Sequence, residues 1–244
     1  MSVISEIFSY SFLTRAVCVG ILVSLCSALL GVSLVLKRFS MIGDGLSHVG
    51  FGSLSIAIAV GAAPLQVSVP VVIISAFLLL RLNKNSRLKG DSAIAVISSS
   101  ALAIGVIVTS LSSGLSAVLC NYMFGSILAM SKSDVYLSII LSVTVLVIFI
   151  LCYNRIFAIT FDEDFAAATG THSIIYTMIL AVLTAVTIVV GMRLMGTLLI
   201  SSLIIFPALT TMRIFRNFKS VMISSALISI VCFFFGIVTS YVYS

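Results

Sequence analysis

Charge is what this sequence has least of. Of 244 residues only 13 are Lys or Arg and 7 are Asp or Glu, together 8% of the chain. A soluble domain carries about one-quarter charged residues, so that scarcity excludes an ordinary soluble globular protein and a disordered one. No dense basic patch with interleaved aromatics exists, which excludes a duplex binder and any nucleic-acid partner of that kind. No GxxxxGK[ST] is present, so the chain does not cradle ATP phosphates by that route. GxSxG, HExxH and clustered Cys/His are absent as well, leaving no recognisable catalytic set. The five cysteines, at 18, 26, 120, 152 and 232, make no CxxC and most sit in apolar runs. They read as packing residues rather than a disulfide frame or thiolate site. The few acids do not form the chain of intramembrane carboxylates that a proton relay needs. The first residues carry Glu6 and no basic stretch, so the first apolar run reads as a retained helix, not a cleaved leader.

What is present is apolar length: 61% of the residues are hydrophobic. Helices or closed barrels are the only backbones that satisfy themselves in lipid, and runs without period-2 alternation favour helices. A crossing takes roughly 20 residues. The polar and Gly/Pro breaks predict an all-α, polytopic membrane bundle, residues 1–244 forming a single domain. Eight helices are expected near 12–36, 42–62, 64–83, 91–111, 134–153, 172–192, 194–212 and 220–242. Lys and Arg near helix ends set orientation. Lys37, Arg38, Arg81, Lys84, Arg87, Lys89, Arg155, Arg213, Arg216 and Lys219 fall on one side, and Arg15, Lys132 and Arg193 on the other. The richer side is expected to be cytoplasmic, with both termini outside. That assignment requires 112–133 to be one extracytoplasmic excursion, with 116–130 a short re-entrant or interfacial helix.

The most informative stretch is Lys37-Arg38-Phe39-Ser40-Met41-Ile42-Gly43-Asp44-Gly45-Leu46-Ser47-His48. Asp44 and His48 stand at i, i+4, on one helical face. A carboxylate oxygen and a neutral imidazole nitrogen suit a divalent metal such as zinc or manganese. Ionisable groups in a membrane helix are costly, which makes them functional candidates. The blander reading has Asp44 facing the helix dipole and His48 hydrogen-bonded in a packed core. Two ligands are too few for a closed four-coordinate site, and a twofold axis between two copies of this helix would double them. A site deep in the bilayer also needs the break at 37–40 to dip inward.

A second stretch, Phe161-Asp162-Glu163-Asp164-Phe165-Ala166-Ala167-Ala168-Thr169-Gly170, leads with acids and ends on glycine. It predicts a short helix with its dipole complemented and a C′ glycine, inside a cytoplasmic loop at about 154–171. Phe161 and Phe165, one turn apart, suit docking onto a partner, or a helix lying on the bilayer. Three acids argue against anionic lipid. A third stretch runs from Gly191 through Met192, Met195 and Gly196 to Ser201, Ser202, Pro207 and Ala208. Its small residues permit close helix packing, and Pro207 is expected to kink the seventh helix. Met192 and Met195 read as gap-fillers and His172 as interfacial.

With these residues in hand, the chain resembles the membrane permease of bacterial ABC-type zinc and manganese importers, most of all the zinc-uptake permease. The likeness lies in 37–48, in Tyr122-Met123-Phe124-Gly125-Ser126-Ile127-Leu128-Ala129, in 162–170 and in 195–208, in that order. The resemblance implies a multi-pass protein of the bacterial cytoplasmic membrane and a second permease copy. It also implies a cytoplasmic ABC ATPase that binds the ATP, and an extracytoplasmic metal-binding protein that delivers the ion. The chain itself would hold no cofactor and hydrolyse nothing; zinc, or else manganese or iron, is the cargo. It places Asp44 and His48 on the ion pathway and makes Phe161, Asp162, Glu163, Asp164, Phe165 and Gly170 the coupling-helix contacts with the ATPase. Against this stand a stand-alone secondary metal transporter, whose mark would be further buried acids, and a membrane-embedded enzyme or structural subunit.

Overall fold

The computed structural model describes residues 11–39, 41–85, 90–111, 123–125 and 132–243. Among these the chain forms nine helices: α1 Ser11–Leu36, α2 Ile42–Ala59, α3 Pro64–Asn85, α4 Gly90–Leu111, α5 Lys132–Leu151, α6 Tyr153–Phe161, α7 Glu163–Ala168, α8 Ser173–Ile214 and α9 Phe218–Tyr243. The described residues contain no strand. Five helices are long and apolar enough to cross a membrane: α1, α4, α5, α8 and α9. The expected re-entrant segment 116–130 lies outside the described residues except for Met123, Phe124 and Gly125.

α8 is 42 residues long, but Gly196 interrupts it with φ 82° and ψ 165°. A straight helix would put residues 191 and 200 about 13 Å apart. Here a Cβ on Gly191 would lie 2.4 Å from Ile200 Cδ1. The arms 173–195 and 197–214 therefore fold back on each other. α1 confirms their opposite directions. Lys37 reaches Thr177 and Val23 meets Gly191 on the first arm, while Gly31 sits against the Ile204 carbonyl on the second. The two helices expected near 172–192 and 194–212 are these arms. Pro207 lies inside the second arm, and the only non-helical backbone within α8 is at Gly196. Glycine alone takes the positive φ cheaply.

The turn at Gly196 is closed by a second glycine. A Cβ there would lie 2.5 Å from the Met123 carbonyl oxygen, and one on Gly125 (φ 83°) 2.5 Å from the Met195 carbonyl carbon. Two backbones touch at this end of the bundle, and neither glycine has room for a side chain.

α1 is the central pillar. Its most apolar stretch is 67% buried, against 22% for α4 and 28% for α5, so those two form the periphery. α1 packs chiefly on α8 and α9, and α2 on α4, α3 and α8. The expected loop at 154–171 is largely helical. Ile156 and Ile159, one turn apart on α6, bury their side chains, and Cys152 makes the turn out of α5. Cys26 is buried with Sγ donating to the Ser142 carbonyl (3.4 Å), whereas Cys18 and Cys232 face outward; the described cysteines are free thiols.

Candidate metal path and coupling surface

α1 ends in a left-handed turn. The Arg38 N–H donates to the Val35 carbonyl and the Phe39 N–H to the Leu34 carbonyl, at 3.0 and 2.9 Å, with Arg38 at φ 61°. This is a Schellman stop with arginine where glycine is usual. The chain turns back so sharply that Gly43 meets the side chain of Ile204, the residue whose carbonyl covers Gly31. Gly43 and Gly31 thus both pack on Ile204 of α8, which sets the start of α2 beside the last turns of α1.

Asp44 and His48 are brought together. His48 Nε2 lies 3.7 Å from Asp44 Oδ1, with the imidazole 16% exposed and the carboxylate 44%. His48 Nδ1 is buried and finds no hydrogen-bond partner among the described residues. Most of α2 is buried, yet Met41, Asp44 and His48 form an open stripe at helical spacing. Two donors bound to one zinc at about 2.0–2.1 Å and a tetrahedral angle stand about 3.4 Å apart. The observed gap needs a few tenths of an ångström of side-chain closure to accept such an ion. Among the described residues no group of three or more His, Cys, Asp or Glu gathers, so one chain offers two donors. Met192 is fully buried against Gly50, as a gap-filler should be, and His172 is exposed at the N-terminus of α8.

The acidic stretch folds into two helices rather than one. Asp162 is extended (φ −148°) and caps α7, its Oδ1 accepting the Phe165 N–H at 2.8 Å. Gly170 (φ 82°) closes the far end, with the Thr171 N–H donating to the Ala166 carbonyl. The expected first-turn acids and C′ glycine are both present, and Asp162 adds a side-chain cap. Phe161 falls on α6 instead. Its ring packs 4.9 Å from Phe157 and 5.8 Å from Phe218, tying α6 to α9. Phe165, 67% exposed, and Asp164 are left facing outward from α7. The reason is the extended Asp162, which turns the chain between the two aromatics.

Two ion pairs escaped sequence reasoning. Lys37 Nζ lies 3.6 Å from Glu163 Oε2, and Arg193 donates to Asp134 at 2.7 Å. Both join residues remote in sequence. Their only trace in the sequence is a basic residue at a helix end, which had been counted for orientation alone.

Comparison with known proteins places this arrangement. The chain is 30% identical over 234 residues to the high-affinity zinc uptake system membrane protein ZnuB of Haemophilus influenzae, spanning 96% of this chain and 90% of that one. It is 28% identical over 238 residues to the manganese transport system membrane protein MntC of Halalkalibacterium halodurans, spanning 98% and 82%. Its fold matches a chain of PsaBC from Streptococcus pneumoniae, solved in complex with Fab, with TM-score 0.81 and 26% identity over 93% of this chain and 83% of that one. The model of the ABC 3 transport family matches residues 9–244. The family model's match over nearly the whole chain and the shared all-helical fold converge: this protein belongs to the ABC 3 transport family.

Proposed function

We propose that this chain is the permease subunit of an ABC importer that carries a divalent metal ion, zinc or manganese, across the bacterial cytoplasmic membrane. The observation that carries the reading is the Asp44–His48 pair. A half-exposed carboxylate in the first turn of a mostly buried helix of an apolar bundle cannot face lipid cheaply. It faces a water-filled path or a second copy of the chain. His48 must carry its proton on Nδ1 when Nε2 binds an ion, and metal-binding histidines donate that proton to a fixed acceptor. A second copy across a seam at the α2 stripe supplies a further Asp and His.

In this reading eight segments cross: α1 to α5, the two arms of α8, and α9. The end bearing Lys37, Arg155, Arg213 and Lys219 is cytoplasmic, and the Gly125–Gly196 contact lies outside, where an extracytoplasmic metal-binding protein delivers the ion. Residues 162–170 form the coupling helix, with Asp164 and Phe165 meeting the ATPase. ATP binding there rocks the bundle between outward- and inward-open states. Asp44 and His48 replace part of the ion's hydration shell in passing. Two ligands per chain hold it loosely, and loose coordination permits release.

The test is uptake of radioactive zinc, manganese and iron by the complex of this chain with its ATPase in vesicles. ATP-dependent uptake of zinc or manganese is expected, falling to background in Asp44→Ala and His48→Ala while the complex still co-purifies. Unchanged uptake in both variants would remove the pair from the path. Uptake driven by an ion gradient without ATP would make the chain a secondary transporter.

A further inference from the structure

The end of α1, the start of α8 and the short helix α7 converge on one side chain. Lys37 is only 6% exposed, and lysine is almost never so buried unless paired. Its Nζ donates to Thr177 Oγ1 on α8 at 3.0 Å and stands 3.6 Å from Glu163 Oε2, at the start of α7. Burial strengthens this attraction relative to water. α7 is otherwise lightly held. Ala166 is its one buried residue, and beyond its end Thr171 Oγ1 accepts from Arg155 at 2.9 Å. Lys37 is also the residue at which α1 gives way to the turn into α2. The turn is stiffened by hydrogen bonds from Arg38 to Val35, Phe39 to Leu34 and Ile42 to Phe39. Asp44 follows seven residues after Lys37.

We infer that Lys37 and Glu163 are positioning residues that transmit displacement of α7 to the α2 turn bearing Asp44 and His48. This rests on the reading of α7 as the ATPase-docking element. A push on α7 moves Glu163, Lys37 follows its counter-charge, and the left-handed turn carries the motion into the first turn of α2. Glu163 is 27% exposed, so its carboxylate can be rehydrated as the pair opens, which lets the contact alternate between two states. An aliphatic contact at the same place would hold α7 without following it.

The experiment measures ions moved per ATP hydrolysed by the full complex in vesicles, with zinc and manganese as probes. In Lys37→Met the complex is expected to assemble and hydrolyse ATP while the ratio falls about tenfold, and Lys37→Arg returns it to within about twofold of wild type. Glu163→Gln is read in the same way should Lys37→Met fail to assemble. An assembled variant lacking the ion pair that keeps the wild-type ratio overturns the inference. So does failure of both to assemble, because the pair is then an assembly contact. A wild-type complex without ATP-dependent uptake overturns the underlying reading instead.

Discussion

The two ends of this bundle hold their charges in opposite ways. At the end where Arg193 pairs with Asp134 the contact is tight, 2.7 Å, and joins α8 to α5, with both side chains at most one-fifth exposed. Beside it two glycine backbones touch with no space between. At the start of α2 the pair is loose. Asp44 and His48 stand 3.7 Å apart, a single turn from each other, one of them nearly half open and the other with an unpartnered nitrogen. A short pair between remote helices fixes their relation. A long pair within one helix fixes nothing, and leaves a half-exposed carboxylate beside an imidazole with an unpartnered nitrogen. In the proposed function one end holds and the other exchanges.

The comparison is broken most severely at Gly196. Gly196 and Gly170 share φ 82°, so both resist a side chain by their backbone conformation. Their surroundings differ. A Cβ at Gly170 meets nothing within 4 Å, and one at Gly196 would overlap the backbone of 123–125. Gly170→Ala should therefore cost about 1–2 kcal/mol, and Gly196→Ala about 3 kcal/mol or more, since strain and overlap add. Thermal unfolding of the two variants in detergent checks this. Equal shifts would mean that the contact with 123–125 is not part of the folded state.

A smaller effect is expected from Arg193→Met. Breaking a fully buried pair costs about 3–5 kcal/mol. These side chains retain some solvent, which lowers the expectation to about 1–2 kcal/mol. Uptake per folded complex should stay near the wild-type value, because the pair holds helices and lies away from the donors. Loss of uptake at unchanged stability would move Arg193 from the structural end to the ion path.

Legibility followed the range of each interaction. The helices were readable because apolar length leaves backbone no other solution in lipid. Asp44 and His48 were readable because their partnership is local, one turn apart. The turn at Gly170 was readable for the same reason. Lys37 with Glu163 and Arg193 with Asp134 were not, since only tertiary packing decides which distant charge a basic residue meets. Reading Asp162 as a first-turn acid puts Phe161 on the helix of Phe165, whereas Asp162 is the extended N-cap that separates the two helices. The break between the sixth and seventh helices is legible to within a few residues, but its seat at Gly196 is not. What distinguishes the glycine is the close approach of another chain segment, which spacing along one chain does not record.

The smallest expected change in stability is also the most informative. His48→Ala removes a side chain whose Nδ1 has no partner among the described residues, and whose contact with Asp44 is too long to count as a good hydrogen bond. Losing it forfeits some packing, because the ring is mostly buried, but it relieves an unsatisfied buried polar atom. The two effects oppose, so the net change should lie within about 0.5 kcal/mol of wild type. Thermal unfolding of the metal-free protein is the measurement. A large loss would mean that the imidazole is bonded within the folded chain and that His48 is a core residue. A negligible loss together with abolished uptake is what a group retained for an ion, rather than for the fold, requires.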